Sequence, residues 1–342
     1  MIFILFSVFF LFVLISFFLP KERIYKSILF FVLGLVLILI AGFRSEVVDR
    51  DYANYVTYFH EQDYLAVEPA FVVISKCINS YLGSNPIYLF VLFATIGVSF
   101  KSIAIRQLTE LWFLSLVIYL SNFFILHEMT QIRAGVASAF LLLCVKPIYD
   151  RDLKRFLLFA ILGFTFHYSA IVILPLWFLG IKARKKALLF SLPVAYIIYF
   201  SGINLITTIP ISVIQNKIAM YQTLMELGNE ESILINVFNL VFLAKIVVFY
   251  FLLSKYELIL SYNKYTPILM KIYCISLMSY LVLAVMPPIA TRINELFAIV
   301  DIILIPFIYY AFKPVWFSKS IVVFIGICFL LINLFYVKLI VF

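Results

Sequence analysis

The chain has 342 residues, of which 65% are apolar and only 13% charged, with a formal net charge of +9. Soluble domains carry about 25% charged residues, so this composition excludes an ordinary soluble globular domain. A surplus of Lys and Arg could mark a nucleic-acid partner, but the positions of these residues along the chain have a different explanation, and no nucleic acid is expected.

Apolar stretches fall at about 2–19, 25–42, 86–106, 112–127, 130–145, 153–168, 169–181, 187–202, 232–254, 266–285, 289–311 and 319–340. A helix of about 20 apolar residues crosses a hydrocarbon core of roughly 30 Å. The alternating segments of about 10 residues that mark a membrane β-barrel are not seen. The pattern predicts an all-α polytopic membrane protein, one integral domain over 1–342 with about twelve transmembrane helices. Met1 to Pro20 lacks a basic n-region and a small-residue cleavage site, and so reads as a first membrane helix rather than a signal peptide. Cys77, Cys144, Cys274 and Cys328 lie in apolar stretches without CxxC spacing, which predicts neither a disulfide nor a metal site.

Two segments are more hydrophilic, 43–67 and 203–231. Cytoplasmic loops carry the excess of Lys and Arg. Lys21, Arg23 and Lys26 therefore place the first loop inside and 43–67 outside. The segment 68–82 decides everything after it. If it spans, each later loop changes sides. If it turns back or lies at the interface, 18 basic residues become cytoplasmic and six external. The expectation is thus an external loop over 43–85 that carries a re-entrant or interfacial helix, opened by Glu68-Pro69 as a helix start. The segment 203–231 forms a second external loop. Lys101 belongs to the cytoplasmic set in this scheme.

This topology gathers unusual groups on the external face. The first loop supplies Arg44, Glu46, Asp49, Arg50, Asp51 and Glu68; the turn near 130 supplies His127, Glu128, Gln131 and Arg133; the turn at 166–169 supplies His167; and "PPIATRINE" supplies Arg292 and Glu295. Ionisable groups at membrane depth mark function by default. Each also has a plain structural reading. Arg44 could anchor a helix end, Asp51 could solvate its loop, and Arg133 could pair with Glu128. His167 could be a packing histidine, Arg292 could pair with Glu295, and the tyrosines could form an interfacial belt. Asp301 reads as a buried partner.

Together they suit one chemistry. Arginine grips phosphate oxygens with a planar fork of donors. Histidine or aspartate can take a proton from an attacking hydroxyl. Tyr52, Tyr55 and Tyr58 offer flat faces to sugar rings. A lipid-linked diphosphoryl sugar would use all of these, and stabilising the departing diphosphate would be the main catalytic effect.

The ordered set "FRSEVVDRDYANYVTYF", "EPAFVVISKCI", "QIRAGVASAFLLL", "FHYSAIVILPL" and "IATRINELF" resembles the EpsG-type branch of the Wzy polysaccharide polymerases, over about residues 41 to 300. The resemblance implies an architecture similar to GT-C glycosyltransferases, and polymerisation of undecaprenyl-diphosphate-linked repeat units at the outer face of a bacterial inner membrane. It matches Arg44, Asp51 and Tyr55 to the family's loop, Gln131 and Arg133 to its helix start, His167 to its FH motif, and Arg292 to its late arginine. Two departures stand out. "VVDRD" lets Asp49 compete with Asp51, and "QIRAG" departs from the family's order around Gln131.

The expected site has His167 and Asp51 as catalytic candidates, and Arg133, Arg292 and Arg44 on the diphosphate. Tyr52, Tyr55, Asp49, Glu68, Gln131 and Glu295 contact sugar or support the site. No metal and no cofactor are expected, the "DRD" at 49–51 being the one feature that favours a metal. Expected partners are lipid-linked donor and acceptor, membrane lipid and a chain-length regulator protein. The competing readings are an O-antigen ligase, a membrane acyltransferase, and a non-enzymatic flippase or transporter. The last class shows inverted repeats around a midplane site, whereas here the charges gather at one face.

Overall fold

The architecture comes from a computed structural model that describes residues 1–61, 67–202 and 235–340, together with 219 and 223. The second predicted external loop, 203–231, therefore lies outside the described residues apart from those two positions. The described residues are helical throughout, with no strand. Among the described residues, six helices are long and apolar enough to cross a membrane: Arg23–Gly42, Ile87–Leu108, Trp112–Thr130, Ile132–Asp150, Pro287–Tyr310 and Val315–Tyr336. The chain is a multi-pass membrane protein.

The N-terminal half builds one wall of the bundle. Helices α1 (Ile2–Phe17) and α2 (Arg23–Gly42) are followed by two short ones, α3 (Tyr52–His60) and α4 (Pro69–Tyr81). Pro69 occupies the first turn of α4, where its missing N–H costs nothing. The 13 residues of α4 rise roughly 20 Å, too short for a straight helical crossing.

Next come α5 (Ile87–Leu108), α6 (Trp112–Ile118), a π-helical run over Tyr119–Thr130, and α7 (Ile132–Asp150). Helix α7 is the centre of the bundle, packed between α5 and α8 (Leu153–Phe166). Its small buried residues Gly135, Ala137, Ser138 and Ala139 let neighbouring backbones come close. A 3₁₀ run over Tyr168–Phe178 follows α8, then α9 (Lys185–Phe200), and further helices at Leu240–Ser254, Thr266–Val282 and Pro287–Ala298 complete the surroundings of the site.

One sequence expectation is corrected here. Lys101 is not a cytoplasmic loop cation. It is fully buried on α5, where its Nζ donates to Glu128 Oε1 at 2.5 Å and to the Gly135 carbonyl at 2.7 Å. Tyr119 donates to the same carboxylate oxygen at 2.8 Å. Charge counting along a helix end cannot distinguish a loop lysine from one folded back against a carboxylate one helix away. Buried ion pairs are held only where geometry and added hydrogen bonds offset desolvation, and both conditions are met here.

Two glycines make room for this knot. A Cβ at Gly97 would lie 2.1 Å from Glu128 Oε2, and one at Gly135 would lie 2.5 Å from the His127 carbonyl. Gly97→Ala is expected to destabilise by roughly 1–3 kcal/mol through overpacking, visible as a lower thermal midpoint in detergent. Gly34→Ala, whose Cβ meets nothing nearer than Ser102 Oγ at 3.8 Å, should be neutral or mildly stabilising. Equal midpoints for both variants would count against the knot.

Candidate active site

Residues far apart in sequence line one cavity of about 370 Å³: Asp51, Asn54, Tyr55 and Tyr58 from the first loop, Glu68, His127, Gln131, Arg133, His167, Tyr168, Ser169, Arg292 and Glu295. Of the eleven residues expected from sequence, the fold brings eight to this wall.

At its centre is Glu68, which caps α4 with its backbone while its side chain faces the cavity wall. Its carboxylate binds Arg133 Nη1 through one oxygen and His167 Nδ1, at 2.8 Å, through the other. Arg133 sits in the first turn of α7 and His167 at the break between α8 and the 3₁₀ run. The break is a backbone feature: His167 is extended, with φ −155° and ψ 119°. One carboxylate therefore ties the short helix α4 to two helices of the bundle. With Nδ1 engaged by Glu68, the other ring nitrogen of His167 remains for proton transfer. Arg133 uses Nη1 on Glu68, and a guanidinium has further donors in its fork.

Tyr55 and Tyr58 flank the guanidinium of Arg133, their ring centroids 5.5 and 5.7 Å from its central carbon. Burial, opposed by the charge of Arg133, pushes the Tyr55 hydroxyl up to about 12. It stays protonated at neutral pH and can donate to an anionic oxygen. In the same lining, Gln131 hydrogen-bonds Glu295, with the charges of Lys245 and Arg292 nearby. Arg292 and Glu295 share the amphipathic helix Pro287–Ala298. The cavity is not a simple anion sink, because Arg133 and Arg292 share it with Asp51, Glu68 and Glu295.

Three expected site residues lie elsewhere. Arg44 is fully buried, its Nε donating to Asp49 at 2.7 Å and its Nη1 to the Ala41 carbonyl at 2.9 Å. Its guanidinium lies over the Phe90 ring at 4.2 Å. Tyr52 stacks on that ring with centroids 4.5 Å apart. Arg44, Asp49 and Tyr52 thus brace the end of α2 against α3 and α5, and do not line the cavity. Asp49 also accepts from the Asp51 backbone N–H at 2.8 Å; of the two aspartates in "DRD", Asp49 pairs with Arg44 and Asp51 lines the cavity. Among the described residues, no group of three His, Cys, Asp or Glu side chains is placed to hold a metal ion.

The fold also adds residues that the sequence reading did not assign to the site. Asn54 completes a stripe with Asp51, Tyr55 and Tyr58 at helical spacing, a period visible in the sequence. Tyr168 and Ser169 adjoin His167 directly. His127 belongs to the π-helical run, and Ser138 Oγ lies 3.1 Å from its Nδ1; no pattern of apolar residues announces a π-helix.

Burial alone would raise the Glu68 carboxyl, but the His167 hydrogen bond and the Arg133 charge outweigh it and hold it below the usual carboxylate range. A depressed folded-state value contributes stability above the unfolded-state value, and that stability is lost as pH falls through the folded one. Wild type should therefore unfold at higher temperature than Glu68→Gln at neutral pH, with the gap closing below about pH 4. A gap that persists unchanged into stronger acid would contradict the bridge.

The chain was also compared with known proteins. The EpsG family pattern matches residues 27–342. The amylovoran biosynthesis protein AmsC of Erwinia amylovora is 29% identical over 222 residues, which are 53% of this chain and 59% of that protein, so the match spans less than two thirds of the relative's length. No solved structure matches the chain. By the extent of the family match, the chain belongs to the EpsG family.

Proposed function

We propose that the protein is a polysaccharide polymerase, a glycosyltransferase that moves a growing glycan from undecaprenyl diphosphate onto a sugar hydroxyl of a second undecaprenyl-diphosphate-linked repeat unit. Support comes from the family, from a relative named for amylovoran biosynthesis, and above all from the Arg133–Glu68–His167 bridge at a cavity that also holds Arg292. In this reading the bundle is GT-C-like and sits in a bacterial inner membrane with the cavity facing the periplasm.

Arg133 and Arg292 hold the donor diphosphate, with Tyr55 donating to it. Oriented by Glu68, His167 takes the proton of the attacking hydroxyl. The new bond joins that oxygen to the anomeric carbon, the bond from carbon to diphosphate breaks, and undecaprenyl diphosphate leaves as the anion. Its charge develops beside the two guanidiniums, so the stabilisation grows as the bond breaks. Asp51, on the same wall, is the second candidate base. Arg44 has a structural part only.

Arg133→Ala, His167→Ala and Arg292→Ala should each lower polymerisation by roughly 10²–10³-fold, while still eluting as folded protein. Removing Arg44 leaves Asp49 buried without its partner, which costs about 3–5 kcal/mol, so Arg44→Ala should instead lose folded protein. The assay is a reconstituted reaction with one synthetic lipid-linked repeat unit, its glycan ladder read on a gel. Full-length ladders from all three variants would refute the assignment.

The orientation has its own test. Ser169→Cys in a cysteine-free chain should react with a membrane-impermeant maleimide applied from the periplasmic side. Labelling only after the inner membrane is opened would place the cavity on the wrong face.

A further inference from the structure

Behind the wall formed by Gln131 and Glu295 lies a second, larger cavity of about 560 Å³, and those two residues line both. The two cavities differ in chemistry. The first has two guanidiniums. The second has Lys245 and Glu295 as its charged groups and is lined by carboxamides, ring faces and aliphatic side chains. It has no set of cations to hold a diphosphate.

Its polar groups are fixed in advance. Asn333 gives both amide hydrogens to backbone carbonyls, of Ser121 at 2.9 Å and Asn122 at 3.1 Å. Asn294 gives its own to the Ser276 carbonyl at 2.8 Å and Ser276 Oγ at 3.0 Å. Each then has a carbonyl oxygen left to accept. Tyr280 accepts from Asn239 at 3.2 Å and keeps its O–H to donate. Asn122 is only 8% exposed, and its amide nitrogen has no hydrogen-bond partner among the described residues. A buried donor left unsatisfied is costly, and each such group in a native fold calls for a partner.

Fixed acceptors and donors, beside the rings of Phe123 and Phe329 and aliphatic side chains, suit a ligand whose groups both donate and accept and whose rings carry C–H faces. Sugar hydroxyls and pyranose faces have these properties. Pockets of 300–1,000 Å³ enclose ligands of drug size, so this one takes about two or three sugar rings. The geometry also fixes which sugars. An attacking hydroxyl must approach the anomeric carbon from a side that the departing diphosphate does not occupy, and Gln131 and Glu295 separate the arginines from this cavity. Resting on the polymerase reading above, we infer that the second cavity binds the sugar rings of the acceptor repeat unit, with Asn122, Asn294, Asn333 and Tyr280 reading their hydroxyls.

The test uses the purified full chain and, as probe, the repeat-unit oligosaccharide freed from the host's lipid carrier by mild acid, without lipid or phosphate. Wild type should bind it saturably in a calorimetric titration. Asn122→Ala and Tyr280→Phe should each weaken binding about fivefold to tenfold, and Arg133→Ala should not change it. Undecaprenyl diphosphate should behave in the opposite way, losing affinity in Arg133→Ala alone. Absence of wild-type oligosaccharide binding would overturn the inference. So would equal affinity of both chamber variants and wild type, or a comparable loss in Arg133→Ala. Tyr280→Phe keeps the ring packing, so it stands if Asn122→Ala misfolds. A protein that binds the oligosaccharide as expected yet makes no ladder would defeat the polymerase reading and leave the sugar chamber intact.

Discussion

The candidate site depends on a single carboxylate with two partners. Glu68 belongs to a short helix that is not long enough to cross the membrane in a straight line, and such an element is positioned only by what it touches. By binding Arg133 on α7 and His167 at the end of α8, it fixes α4 against the bundle and orients the imidazole in the same interaction. Structure and chemistry are therefore coupled. A change that frees α4 also misorients the ring and releases a donor of the guanidinium.

Much of this was legible in the sequence because it rests on cost. Charged groups in an apolar chain are expensive unless they are paired or functional, so Arg133, His167, Arg292 and Glu295 stood out from their surroundings, and the cavity collects all four. The helical segments were legible for the same reason. Arg44 shows the limit of the argument. It has the same apparent cost, but Asp49 five residues later satisfies it locally, and a loop sequence does not show which of two aspartates folds inward. Lys101 shows another limit, because its partner Glu128 lies 27 positions away on a different helix. Its pairing depends on tertiary contact, which no local pattern encodes. The second cavity was invisible for a related reason: asparagines scattered from Asn122 to Asn333 carry no charge to mark them.

In the proposed reading, the two cavities divide the problem that a two-substrate transferase faces. A charged leaving group needs cations and donors that strengthen as the bond breaks. A neutral polyol needs many modest hydrogen bonds held in place beforehand. Placing these on opposite sides of one wall keeps the arginines away from hydroxyls that would compete for them, and keeps the carboxamides away from phosphate oxygens that they bind weakly.

The π-helical run Tyr119–Thr130 has a consequence for how the chain tolerates change. Its wide turns set where Asn122, His127 and Glu128 emerge, facing two cavities and the Lys101 knot. Such runs commonly mark functional places in helices. Excising one residue from it would move every later residue of the run by one position, about 100° around an α-helical axis. Along this segment, then, the spacing of residues carries as much information as their identity. The loss of one position here would disturb three environments at once.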